Sequence, residues 1–219
     1  MIMKLAIGIV SMCMCVMEIS CAGKWPGGSV TSADRTPVVF PEYAGITIPP
    51  NIAPLNFRIR ETGDDFRVAV QGADGDSLVV YSRTPLIAFP EKKWHALLGR
   101  CTGKELRIEI CVRNRGGWTR FAPLVNSVAR ETIDGFLVYR LINPGYYYWG
   151  EMGIYQRNLE TFREKAILTN TMTNDNCLNC HSFCRNNPEM MVLHARQNPG
   201  GTLLCRGNTI VKIDASADA

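Results

Sequence analysis

Several features that would place this 219-residue chain in a functional class are missing from it. Lysine and arginine (24) nearly balance aspartate and glutamate (20), and no basic run marks a nucleic-acid surface. Histidine occurs only three times, and neither a Ser/His/Asp set nor a carboxylate pair stands at a recognisable catalytic spacing. Nucleic-acid binding is therefore excluded, and an electron carrier or a binding protein is favoured over an enzyme.

Disorder and internal repetition are also missing. Apolar residues make up 46% of the chain and charged residues 20%, as in an ordinary globular protein. No segment recurs at a fixed period, which argues against a complete propeller. The length allows one large domain or two small ones.

The N-terminus has the composition of an export signal. Lys4 precedes an apolar stretch over residues 5–17, which is shorter than the roughly 20 residues that span a membrane. Ser20 and Cys21 then resemble a bacterial lipoprotein cleavage site, although Glu18 stands where leucine is usual. We expect residues 1–20 to be a signal peptide and Cys21 to carry lipid, so that the mature protein is periplasmic or anchored to the outer membrane. A plain secreted protein is the alternative.

The first half of the mature chain has a β pattern. Residues 21–53 are rich in Gly, Pro, Ser and Thr, which predicts an extended tether. Apolar and polar residues alternate over 66–70 and again over 106–112. We therefore expect residues 54–130 to form a small antiparallel β-sandwich of the immunoglobulin type. Cys111 falls on the polar face of its strand, which argues against a core position, and Trp94-His95 is expected to be packed or on the surface.

The motif with the clearest chemistry is C-x-x-C-H, formed by Cys177, Cys180 and His181. Each thiol can form a thioether with a haem vinyl group, and the histidine that follows is held against the iron as the proximal ligand. Export supports haem c, because that cofactor is attached outside the cytoplasmic membrane, where disulfides also persist. The motif therefore predicts a c-type haem.

Two other uses of these cysteines stay open. Zinc could be bound by Cys177 and Cys180 with two of the remaining donors, although no second C-x-x-C pair exists. A redox dithiol would need a βαβ setting, which the pattern lacks. The remaining zinc donors are His181, Cys184, His194 and Cys205.

An iron held by His181 needs a sixth ligand or an open position. His194, thirteen residues downstream, is the best candidate, and Met190 or Met191 is the next. Ahead of the motif, apolar residues recur at helical spacing from about 152 to 168, which predicts a helix. The aromatic run 146–149 either connects it to the β domain or forms a wall of the haem pocket. The whole chain is thus expected to be α+β, with a helical, loop-rich haem c segment over residues 131–202.

Four cysteines remain once lipid and haem are assigned. Cys101 could pair with Cys111, although a short hairpin around Gly103 disfavours that bridge, and Cys184 could pair with Cys205. Spacing does not fix this connectivity. Free buried thiols are the other interpretation.

Several separate motifs resemble the TolB-like lipoproteins of Bacteroidetes and span most of the mature chain. They are Pro41-Glu42-Tyr43-Ala44, residues 48–57, Tyr139-Arg140-Leu141-Ile142, residues 153–159, Asn179-Cys180-His181-Ser182-Phe183, Asn187-Pro188, Met190-Met191, His194-Ala195-Arg196 and Gly200-Gly201-Thr202. The resemblance implies a region that precedes a TolB-like β-propeller and carries a haem c site at the C-x-x-C-H.

Residues 203–219 depart from that family. Residues 203–206 and 210–213 resemble the first strands of a propeller, but no blade repeats after them. We expect a truncated propeller or a propeller on a separate chain.

The sequence thus favours an exported, lipid-anchored monohaem c domain that passes electrons to a redox partner protein, or supports assembly of a redox complex, at the cell envelope. The alternative is a non-redox envelope module that binds a glycan or a protein, with zinc or a disulfide as a structural clip.

Overall fold

The computed structural model describes residues 28–142, 152–175, 177–196 and 200–213, and over these the protein is mostly β. The predicted signal peptide, the lipid site Cys21 and the aromatic run 146–149 lie outside the described residues. Within the described ranges, no helix is long and apolar enough to cross a membrane.

Residues 28–130 of the described structure contain ten strands and one helix. They are β1 (Val30–Ala33), β2 (Val39–Phe40), β3 (Thr47–Ile48), β4 (Phe57–Ile59), β5 (Asp65–Gly72), β6 (Ser77–Ser82), β7 (Leu86–Ile87), α1 (Glu91–Arg100), β8 (Glu105–Asn114), β9 (Gly117–Phe121) and β10 (Leu124–Val128). The second half contains β11 (Phe136–Leu141), β12 (Gly153–Asn158), β13 (Glu164–Thr169), β14 (Leu178–Phe183), β15 (Met190–Ala195), β16 (Gly201–Arg206) and β17 (Thr209–Ile213).

A seven-stranded sheet is built around β8. Strand β5 pairs antiparallel with one edge of β8, and β9 and β10 follow one another along the other edge. Outside these, β1 runs parallel to β9 and β3 runs parallel to β10. The sheet is therefore mixed. Its two parallel strands, β1 and β3, lie within the predicted tether, because short segments between prolines can pair at sheet edges.

A three-stranded sheet, in the order β2-β4-β7, and helix α1 complete the first core. Trp94 is fully buried, stacks on Phe89 at 5.3 Å between ring centroids, and donates a hydrogen bond from Nε1 to the Ile52 carbonyl at 3.1 Å. Helix α1 was not predicted, although Trp94, Leu97 and Leu98 stand at helical spacing and are all buried.

The expectation that Cys111 lies outside the core is wrong, because the side chain is fully buried. Cys111 stands opposite Arg67, which is itself 1% exposed and donates a hydrogen bond to Glu109 at 2.8 Å. Paired charges thus cover the polar face of β8 at this point. The burial raises the pKa of the Cys111 thiol to about 11.

The second half forms two antiparallel sheets, β11-β12-β13 and β14-β15-β16-β17. The helix predicted over about 152–168 is wrong, since β12 and β13 occupy this range. The apparent helical spacing runs across a turn, in which the Asn158 side-chain oxygen accepts from the backbone N–H groups of Glu160 and Thr161. Over the described part of residues 131–202, strands and two short 3₁₀ turns replace the helical segment, and the strands predicted at 203–206 and 210–213 are confirmed.

Candidate functional site

The C-x-x-C-H motif lies on an edge strand. Cys177 immediately precedes β14, and Cys180 and His181 are within it. Strand β14 stands at one end of its four-stranded sheet, beside β15. The thiol of Cys180 is exposed and that of Cys177 half-buried, and both are free. Among the described residues, no strand pairs with the other edge of β14, so a group attached to these thiols has room to extend past the sheet.

A β-bulge falls inside the motif. Leu178 pairs with Ala195, and His181 pairs with Leu193, so residues 179 and 180 together oppose the single residue His194. Leu178 and Ala195 are almost fully buried and fix the start of the strand. A bulge of this kind changes the direction of the side chains that follow it. The bulge therefore decides which face His181 occupies.

The two candidate axial histidines project from opposite faces of the sheet. His181 shares a face with its partner Leu193, and side chains alternate along β15, so His194 lies on the other face. There, His194 Nδ1 is 3.3 Å from Thr202 Oγ1, and the imidazole is exposed. Met190 is on the same outer face, since it alternates with Met191. The described structure does not bring His194 or Met190 toward His181.

The inner face of the sheet packs on the neighbouring sheet. Met191 and Leu193 join Ile154 of β12 in a second buried cluster. The His181 ring meets the Phe183 ring edge to face, with centroids 6.2 Å apart. The partly buried side chains around this cluster are Val138, Leu168, Phe183, Leu203 and Cys205. This packing holds the face of β14 on which His181 lies.

The two conceivable disulfides are not formed. Cys101 and Cys111 are separate buried thiols, and Cys184 is exposed at the start of a 3₁₀ turn over Cys184–Asn186. Cys205 pairs with Met191 across β15 and β16, and its partial burial raises the pKa of its thiol. Free buried thiols, the other interpretation, describe Cys101 and Cys111, whereas Cys184 is exposed and Cys205 is half-buried.

Zinc coordination finds no geometric support among the described residues. A structural zinc site needs four donors held together, and no three His, Cys, Asp or Glu side chains are grouped for a metal within the described ranges. Haem c makes a smaller demand, because the thioethers bind the porphyrin and one imidazole binds the iron. Two free thiols and a neighbouring imidazole on an edge strand fit that demand on the proximal side.

Sequence reasoning found the three motif residues but missed β11. Phe136 and Leu137 are consecutive apolar residues of β11 that are left exposed. Because they do not alternate with polar residues, the pattern gave no reason to assign them to either face. The only feature of the sequence that could have indicated β11 was the short apolar run that begins at residue 136.

A scan of protein-family models finds no match to this chain, and a search of curated proteins finds no similar sequence.

Proposed function

We propose that the protein is an exported monohaem c-type domain, anchored to the membrane through lipid on Cys21, that carries electrons or supports assembly of a redox complex at the cell envelope. The observation that supports this most is the position of Cys177, Cys180 and His181 on an edge strand with both thiols free. The two thiols would form the thioethers, and His181 would be the proximal ligand. Bound haem would supply one-electron chemistry.

The sixth coordination position is the second part of the proposal. From the sequence spacing, His194 is the first candidate for the sixth ligand, and Met190 or Met191 is the next. The strand register, however, puts His194 and Met190 on the face away from His181. Met191 is on the His181 side but is 8% exposed and packed in the second core. We therefore propose that the sixth position is open to water or a small ligand. Ligation by His194 is the alternative, and a spectrum of the haem-loaded protein distinguishes the two.

An absorbance spectrum tests the attachment. The full chain is matured in a host with haem c machinery, and a reduced α-band at the c-type position that survives acid-acetone extraction is expected. Cys177→Ser and Cys180→Ser should each remove one thioether and shift that band, and Cys184→Ser is the matched control because its thiol is also exposed. A colourless protein that contains zinc would refute the proposal.

A second candidate is the non-redox binding module, and a cavity in the first domain favours it. The cavity has a volume of about 270 Å³ and is lined by aromatic and charged side chains, among them Tyr81, Arg83, Arg113 and Trp118. In this alternative the first domain, predicted as an immunoglobulin-type sandwich, would bind a glycan or a protein. A screen of glycans against the haem-free chain and its Tyr81→Ala variant would test it.

A further inference from the structure

A groove lies between β11 and the segment that follows β14. Its volume is about 360 Å³, within the range of small-molecule and cofactor sites. Five apolar side chains line it together with three polar groups, which are the amides of Gln156 and Asn186 and the carboxylate of Asp134. The apolar side chains are Phe136, Leu137, Val138, Phe183 and Pro188.

The apolar residues of β11 that line the groove are partly exposed. Phe136 is 56% exposed and shares a face of this edge strand with the partly buried Val138, whereas Leu137, 49% exposed, projects from the other face. Scattered exposed apolar residues are common, but a cluster that lines a groove indicates a ligand or partner. The groove therefore offers an apolar surface that a flat, apolar molecule would cover.

The groove adjoins the attachment motif. Phe183, which lines it, is two residues after His181 and lies on the same face of β14. The edge-to-face contact between the two rings places the His181 imidazole beside the Phe183 end of the groove. A macrocycle bonded to the neighbouring thiols would thus have this apolar surface within reach.

We propose that the haem macrocycle binds in this groove, with Phe136 against one face of the porphyrin. This inference rests on the proposed haem attachment. A porphyrin is largely apolar, so covering the Phe136 ring would remove apolar surface from water on both partners. The amides of Gln156 and Asn186 can donate hydrogen bonds to the propionates, which should point away from the like charge of Asp134.

Hydrogen exchange tests the position of the macrocycle. The same chain is produced with and without haem c maturation, and exchange is compared peptide by peptide. Backbone amides of residues 134–138 and 183–188 should exchange more slowly in the haem-loaded protein, by about tenfold or more, because the bound group opposes local opening. Strands β5 and β8, in the first core, are the internal reference and should not change.

Paired variants give a second measurement. Phe136→Ser exposes the groove to water and should lower the midpoint reduction potential, since water stabilises the more charged oxidised iron. Phe40→Ser is the matched control: Phe40 is 58% exposed but lies on β2 in the first domain. It should leave the potential unchanged.

The outcomes separate the two proposals. Absence of the thioether spectrum overturns the haem attachment itself. An attached haem with equal exchange in residues 134–138, or equal potentials in the two phenylalanine variants, supports the attachment and overturns the groove as its binding surface. Slower exchange there together with a lower potential for Phe136→Ser alone supports both.

Discussion

Arg67 is a charged side chain that the fold encloses, and its environment shows how a polar strand face becomes part of a core. It is 1% exposed and hydrogen-bonds to Glu109 and Tyr81. Arg120 forms a second ion pair with the other oxygen of Glu109. A buried guanidinium is tolerated only when a carboxylate compensates the lost hydration. Glu109 therefore contributes more to the stability of the fold than an ordinary surface carboxylate does.

Replacing Glu109 should be costly for that reason. Glu109→Leu removes the carboxylate and leaves the Arg67 charge buried, which should lower the free energy of unfolding by about 3 kcal/mol. Urea denaturation measures this change. Glu105→Leu is the matched control, since Glu105 is on the same strand with its side chain 50% exposed and should change stability by less than about 0.5 kcal/mol. The double variant Arg67→Leu/Glu109→Leu should recover much of the stability that Glu109→Leu loses. Equal losses of stability in Glu109→Leu and Glu105→Leu would contradict this prediction.

Glu61 makes stability depend on pH. Hydrogen bonds from the Arg35 guanidinium, at 2.7 Å to each oxygen, and from the Val38 N–H hold the pKa of the Glu61 carboxyl below its usual value, against the effect of burial. Since the folded-state pKa is the lower one, the stabilisation is complete above the unfolded pKa, about 4.3, and is lost as the pH falls through the folded pKa.

The measurement compares the wild type with Glu61→Gln across pH. The variant should be less stable by on the order of 1 kcal/mol at pH 7, because Arg35 is half exposed and solvent screens the pair. The difference between the two proteins should shrink as the pH falls below about 4. A difference that stays constant down to pH 2 would show that Glu61 acts through packing and not through its charge.

At the scale of elements, a strand or helix can be predicted from the sequence when its apolar pattern covers enough residues to exclude the other interpretations. β5 and β8 could be predicted because one face of each is in the core and the alternation covers many residues. Helix α1 was missed because its apolar stripe is short and stands between strands. The residues of the C-x-x-C-H were found, but their faces were not. Those faces depend on a bulge, and a shift of one residue reverses every side chain that follows.

The register leads to a prediction about axial ligation. Because His194 lies on the face opposite His181, His194→Ala should leave the spin state of the haem-loaded protein unchanged. His181→Ala should remove the proposed proximal ligand and alter the Soret band. His95→Ala is the control, since His95 is on α1 of the first domain. Absorbance and electron paramagnetic resonance spectra measure the result, and a change from low to high spin in His194→Ala would establish His194 as the distal ligand that its spacing suggests.

At the scale of the whole molecule, the described residues form two cores of very different size. The first contains the buried side chains of the large sheet, the small sheet and α1, whereas the second consists of Ile154, Met191 and Leu193 with partly buried neighbours. Among the described residues, the cluster of the second half supplies the smaller hydrophobic stabilisation, and support from the first half adds to it. Backbone and side-chain hydrogen bonds from residues 51–53 provide that support.

Asn51 is the centre of this connection. Its Nδ2 donates to the Ile133 carbonyl and to Glu160 Oε1, both at 2.9 Å, and its Oδ1 accepts from the Ile133 N–H at 3.0 Å. Two residues further on, the Ala53 N–H donates to the Leu159 carbonyl at 2.8 Å. The amide thus joins the segment before β4 to the start of the second half and to the turn between β12 and β13. No apolar contact would give the same directional constraint.

Asn51→Ala should therefore loosen the second half while leaving the first core intact. Removing three hydrogen bonds at a half-buried site should reduce the local stability of β12 and β13 by about 1–3 kcal/mol, so their amides should exchange faster, with those of β5 and β8 unchanged. Asn114→Ala is the matched control, because Asn114 Oδ1 accepts only a local bond from Gly116 among its described contacts. If exchange rose equally in all four strands, the two cores would form one cooperative unit, and Asn51 would stabilise the whole molecule instead of coupling two parts of unequal stability.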